Sequence, residues 1–176
     1  MKTLLKLVLF SFLVIGAYTL FGTEYVPQGA ADRARGDEDI EAPGPESVKT
    51  VDDLIALGKK VFNGKGSCTL CHNSRGRAPL LDEVALRAAA RIKETDYSGK
   101  ARSAEEYIIE SMREPSAYVV NGFGVPDGGG GVVSPMPVVT GPEIGLTETE
   151  VRAVAAYLEN LAGLDVTITP SRASGP

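Results

Sequence analysis

Cys68-Thr69-Leu70-Cys71-His72 is the stretch around which the rest of this 176-residue chain is ordered. Two cysteines at C-x-x-C spacing with a histidine directly after them read as a c-type haem attachment site. Each thiol can add to one porphyrin vinyl group, and the short tether then brings His72 beneath the iron as its proximal ligand. Composition sharpens the reading, because these are the chain's two cysteines and its one histidine. A thioredoxin-like redox pair would need a βαβ setting, which the flanking sequence does not offer. A structural zinc site would need further Cys or His ligands, which the chain lacks.

The chain is 43% hydrophobic, enough for one ordinary domain with appendages. A net charge of −5 gives no electrostatic support to nucleic-acid binding. With both cysteines assigned to haem no disulfide framework is possible, so an oxidising compartment is permitted and not demonstrated.

Upstream, Lys2 and Lys6 precede an apolar run from Leu7 to Phe21, broken by Ser11, Gly16 and Thr19. A basic start followed by an apolar stretch is a cleavable signal or an uncleaved signal anchor. Residues 1–23 form this segment. The run is short of the ~20 apolar residues of a typical span. Leu4 and Leu5 lengthen it, Lys6 can snorkel to the headgroups, and Tyr18 and Tyr25 stand where interfacial aromatics belong. No good small-residue cleavage site follows, so an uncleaved single-pass helix is expected, with the lysines cytoplasmic and the remainder outside. Residues 24–47 carry seven acidic residues against Arg33 and Arg35 and almost nothing apolar. That composition predicts a solvated, flexible acidic linker, acting as a tether or merely as a spacer.

Residues 48–164 read as a domain of short helices. Val51, Leu54, Ile55, Gly58, Val61 and Phe62 have helical spacing, with Thr50 and Asp53 placed as a capping box. Asp82 is a candidate cap for a helix through Val84, Leu86 and Ala88 to Ile92. Lys93 to Arg102 reads as a polar loop. Ser103 and Glu106 form a capping box that opens a further helix bearing Tyr107, Ile108 and Met112, which stops ahead of Pro115. Asn121 to Gly131 holds six glycines and a Pro-Asp-Gly turn and predicts a flexible loop. Thr147 and Glu150 open the last helix, through Val151, Val154, Ala155, Tyr157, Leu158 and Leu161, with Gly163 at its stop. Residues 165–176 show no sustained period and read as a loose tail. No strand alternation intervenes, so the expected class is all-α.

Several of these features together resemble a class I cytochrome c. They are the C-x-x-C-H, Gly58 with Phe62 on the first helix, Pro79-Leu80 after the haem motif, and the closing helix with Tyr157. Tyr97-Ser98-Gly99-Lys100, Ala104-Glu105-Glu106-Tyr107-Ile108 and Pro115-Ser116-Ala117-Tyr118-Val119-Val120 are similar to bacterial respiratory cytochrome c domains. The resemblance covers roughly 48–162. It implies that Gly58 lets the last helix cross closely, beside Phe62 and Tyr157. It also implies that the Pro79 carbonyl accepts a hydrogen bond from His72 Nδ1 and so raises the ring's basicity. Arg75 and Arg77 are candidates to face a haem propionate, and equally to be plain surface arginines.

A single histidine leaves methionine as the natural sixth ligand. Met1 lies in the N-terminal segment, Met112 sits at helical spacing among apolar neighbours, and Met136 lies in a loop between Pro135 and Pro137. The class I pattern places its methionine before the last helix, which favours Met136 over Met112 or an open site. The expectation is therefore one covalent haem c, bound by Cys68, Cys71, His72, Pro79 and Met136, with His72 and Met136 on the iron. The implied function is one-electron transfer in a membrane-associated respiratory or photosynthetic chain. The expected setting is the bacterial inner membrane, with the haem domain on the periplasmic side and redox proteins as partners. The alternative is a cytochrome subunit of a membrane complex such as a nitric oxide reductase, a terminal oxidase or a quinol-oxidising complex. A haem enzyme or sensor with a labile Met136 is a third class.

Overall fold

A computed structural model of the chain describes residues 2–25 and 42–170, which fall in two units, Met1–Glu41 and Ala42–Pro176. In the first unit α1 spans Lys2–Tyr25, and its Leu4, Leu7, Val8, Leu9, Phe10, Phe12, Leu13 and Ile15 side chains stand exposed. Side chains of α1 are described at 4 and from 6 to 17, so both ends of the expected span fall outside them. Among the described residues no helix is long and apolar enough to cross a membrane. Most of the expected linker, 26–41, also lies outside the described residues.

The second unit begins with a 3-10 turn, Pro45–Ser47, and then α2, Val51–Asn63. The Thr50 hydroxyl accepts from Asp53 N at 3.0 Å, and the Asp53 carboxylate accepts from Thr50 N at 2.9 Å. Two of the helix's free N–H groups are thereby satisfied at the end where negative charge is favoured. After a 3-10 turn at Cys68–Leu70 come α3, Val84–Arg91, and α4, Ala104–Arg113. The closing helix, α5, covers Glu148–Leu161 with the Thr147–Glu150 box in both directions. It ends where Gly163, at φ 71°, turns the chain.

The α2–α5 crossing is the main helix pairing. A Cβ on Gly58 would fall on the Ala153 carbonyl and 2.7 Å from Tyr157 Cβ. Only a residue without a side chain admits this approach. Phe62 and Tyr157 close it, with ring centroids 5.3 Å apart. Around this axis Leu54, Val151, Val154 and Ile168 are essentially sealed from water.

Four expectations need correction. Asp82 does not cap α3: Glu83 holds the cap position with no side-chain bond. Both acids instead lie within ion-pair reach of Arg87, at 4.0 Å from Asp82 and 3.2 Å from Glu83. Ser103 caps Glu106 N, but the Glu106 carboxylate accepts from Arg102 N, so that box is only half made. The unit is mostly helical and not purely so. Val125–Pro126 pairs antiparallel with Val132–Val133, making a small hairpin in the glycine-rich stretch. The Asp127 carboxylate, which accepts from Gly129 N and Gly131 N, organises its tip. Finally, the tail is packed as far as Pro170. Ile168 is buried, Thr167 donates through N and Oγ1 to the buried Glu159 carboxylate (3.0 and 2.9 Å), and Arg152 donates to the Thr169 carbonyl. Residues 171–176 lie outside the described residues.

Candidate haem site

The loop between α2 and the haem motif is fixed before the cysteines arrive. Gly66 N donates to the Val61 carbonyl at 2.8 Å, and a Cβ on Gly66 would meet that oxygen and Cys68 Sγ. Lys65 pairs at 2.7 Å with Glu150, the buried capping carboxylate of α5. Burial alone would raise the Glu150 pKa. The Lys65 ammonium and the Thr147 donors outweigh it and hold the carboxyl below its usual range. Ser67 then takes φ 51°, a left-handed conformation unusual for a residue with a side chain. The reversal starts the 3-10 turn, and His72 N closes it on the Cys68 carbonyl at 3.0 Å. Asn73 braces the turn by donating to the carbonyls of Thr69 and Leu70.

Cys68, Cys71 and His72 thereby line one cavity of about 480 Å³, a volume suited to a sizeable organic group. His72 Nδ1 lies 2.6 Å from the Pro79 carbonyl oxygen. A carbonyl can only accept, so Nδ1 carries the proton and Nε2 keeps its lone pair for a metal. Met136 lines the same cavity, half-buried, as does the buried Met112. The Met136 loop is held at both ends. Met136 N donates to Ser134 Oγ at 3.2 Å, Ser134 N donates to Ser116 Oγ, and Val139 N donates to the Met112 carbonyl at 3.0 Å.

The lining is largely apolar. Its only charged side chains are Arg77 and Arg91, and it contains no carboxylate. An apolar slot with cationic side chains fits a flat hydrophobic ring system bearing acid groups. Two thiols, an imidazole with a free Nε2 and a thioether complete a donor set that fits haem c. Arg75, weighed equally with Arg77 from sequence, is not on the wall. Arg91 was missed. Its signal was position, since it falls seven residues after Val84 and three after Ala88, on the buried stripe of α3. Tyr107 and Tyr118 on the wall were also missed as site residues.

The rival chemistries fare poorly. Burial pushes the Cys68 thiol up to about 11, opposite to the lowered values of redox-active C-x-x-C pairs. Among the described residues no group of three or more His, Cys, Asp or Glu side chains is placed to hold a metal ion, so a four-ligand zinc site has no ligand set.

Comparison with known proteins agrees with the geometry. The family model described as Cytochrome c matches residues 55–162. No curated protein matches the chain.

Proposed function

The chain belongs to the cytochrome c family, and from that premise we propose that it is a membrane-tethered single-electron carrier with His72 and Met136 as axial ligands. Family membership carries covalent haem c and haem-based electron transfer with it. The finer reading rests chiefly on one observation: His72, its Nδ1 engaged by Pro79, shares a cavity wall with both cysteines and with Met136.

Haem c, when bound, supplies an Fe(III)/Fe(II) couple. The protein's own residues do the rest. Cys68 and Cys71 would hold the ring by thioether bonds, and the Pro79 carbonyl fixes the His72 tautomer. Met136, between Pro135 and Pro137, would present a soft sulfur that favours Fe(II) and raises the potential relative to a nitrogen ligand. Arg77 and Arg91, on the cavity wall, would balance the propionates. Were His72 and Met136 both to ligate the iron, bound haem would keep no position for a substrate, which supports a carrier over a catalyst.

The anchor is supported by the exposed apolar side chains of α1 and by the lysines before them. In this reading the segment crosses a bacterial inner membrane once, with the haem unit on the periplasmic side of a respiratory chain. The experiment is extraction from membranes in mild detergent, followed by haem staining on a denaturing gel, intact mass and a reductive titration. A haem-bearing band, a mass that includes Met1, a reversible one-electron wave and elution alone support a free tethered carrier. Elution with other membrane subunits makes it a fixed subunit of an oxidoreductase. A colourless band overturns the reading.

A further inference from the structure

The cavity wall reaches the surface at a few residues. Ser67, Leu70, Arg77, Pro135 and Pro137 line the cavity and are also exposed, so they mark its mouth. One lip is the attachment loop, and the other is the loop that carries Met136. Hydrogen bonds within the attachment loop fix the first lip. Arg75 N donates to Asn73 Oδ1 at 2.9 Å, and Asn73 Nδ2 donates to the Leu70 carbonyl at 3.1 Å. Leu70 is 67% exposed, and Leu80, beside Pro79, is 49% exposed. On the other lip Val138 is exposed next to Pro137.

Charge divides the two lips. From Leu54 to Leu81 the sequence holds Lys59, Lys60, Lys65, Arg75 and Arg77 and no carboxylate, in a chain of net charge −5. Lys65 is taken by Glu150, whereas Arg75 and Arg77 form no ion pair among the described residues. From Glu114 to Val151 the sequence holds Glu114, Asp127, Glu143, Glu148 and Glu150 and no lysine or arginine. Scattered exposed leucines or arginines would need no explanation. Here unpaired guanidiniums and bare leucines share one short loop at the edge of the cavity, and the other lip has no cation.

We propose that the mouth is a docking face for a redox protein whose own contact surface is apolar at its centre and carries carboxylates on one side. Those carboxylates meet Arg75 and Arg77, while Leu70, Leu80, Pro135 and Val138 meet the apolar part. The inference rests on the electron-carrier reading above and names the partner's chemistry. A guanidinium grips a carboxylate at two points, and opposite charges steer encounter and set register more than they add affinity. A mouth charged on one lip only therefore fixes which way the partner sits across it. A small contact of this kind is also weak, as electron-transfer encounters are. A surface of anionic lipid headgroups would be better met by cations on both lips, and the Met136 lip has none.

The test uses full-length haem protein in neutral detergent over gold, coated with monolayers that mix methyl ends with carboxylate, amine or phosphodiester ends. Bound mass is read by quartz-crystal microbalance, and the electron wave by voltammetry. Wild type is expected to bind the carboxylate surface most tightly. Its affinity is expected to fall severalfold as salt shortens the screening length from about 30 Å to about 3 Å. Arg75→Glu and Leu80→Ser are each expected to weaken binding severalfold. Lys93→Glu makes the same change in net charge as Arg75→Glu at an exposed residue off the wall, and is expected to match wild type. Tightest binding to amine ends, equal losses in Arg75→Glu and Lys93→Glu, or an unweakened Leu80→Ser overturns the docking face. Tightest binding to phosphodiester ends assigns the mouth to a lipid surface and overturns it as well. Any of these results, in a protein that stains for haem and gives a reversible one-electron wave, leaves the carrier reading standing. A protein without haem or without that wave overturns both.

Discussion

The Nδ1 of His72 and the carbonyl oxygen of Pro79 are 2.6 Å apart, although seven residues separate them in the chain. The contact ties ring orientation to the backbone of the following loop and loads electron density onto the imidazole. Proline's fixed φ keeps that backbone in place. Pro79→Gly is expected to loosen the bond and raise the reduction potential, since a poorer imidazole donor stabilises Fe(III) less. A full loss of about 1 kcal/mol corresponds to about 40 mV for one electron. Protein-film voltammetry measures it, and an unchanged or lower potential contradicts the assignment.

Gly58 admits no side chain at the α2–α5 crossing. Gly58→Ala is expected to destabilise by about 1–3 kcal/mol, the usual cost of overpacking. This happens although alanine is the better helix former. Urea unfolding reads the effect, and a neutral or stabilised variant would mean that the helices part at no cost.

Lys65 and Glu150 join the attachment loop to α5. The folded carboxyl sits below its ordinary value of 4.5. Its contribution is therefore present above that value and disappears as pH falls through the folded one. Glu150→Gln is expected to be less stable than wild type at pH 7, with the gap closing as pH drops below the ordinary value. Urea midpoints across that range give the test, and a gap that widens in acid contradicts the pairing.

Arg91 is a cation on the apolar wall, whereas Arg75 is off it. Removing a positive charge near the iron favours Fe(III). Arg91→Gln is expected to lower the potential, by about 40 mV for each ~1 kcal/mol of charge interaction lost. Arg75→Gln is expected to leave it nearly unchanged. Equal shifts would show that only net charge matters.

What the sequence made legible was local. Thr50 and Thr147 announce their helices through partners three residues away. The haem motif is a five-residue pattern, and Gly58 carries its meaning in the absence of a side chain. What it concealed depends on remote partners. Asp82 looks like a cap until Arg87 competes for it. Two-residue strands around Asp127 are too short to alternate. Ile168 in a polar tail becomes core only because Glu159 and Arg152 secure the residues on either side of it. Tyr97, Tyr107 and Tyr118 pack ring against ring, although their spacing matches no single helix face.

The central claim is that Met136, and not Met112, provides the sixth ligand, although both line the cavity. The direct measurement is the near-infrared sulfur-to-iron band of the oxidised protein in Met136→Ala and Met112→Ala. Met136→Ala is expected to lose the band, lower the potential and let the reduced protein bind carbon monoxide. Met112→Ala is expected to keep the band while losing about 2–5 kcal/mol of stability, as a buried methionine does. A band erased by Met112→Ala and spared by Met136→Ala contradicts the account.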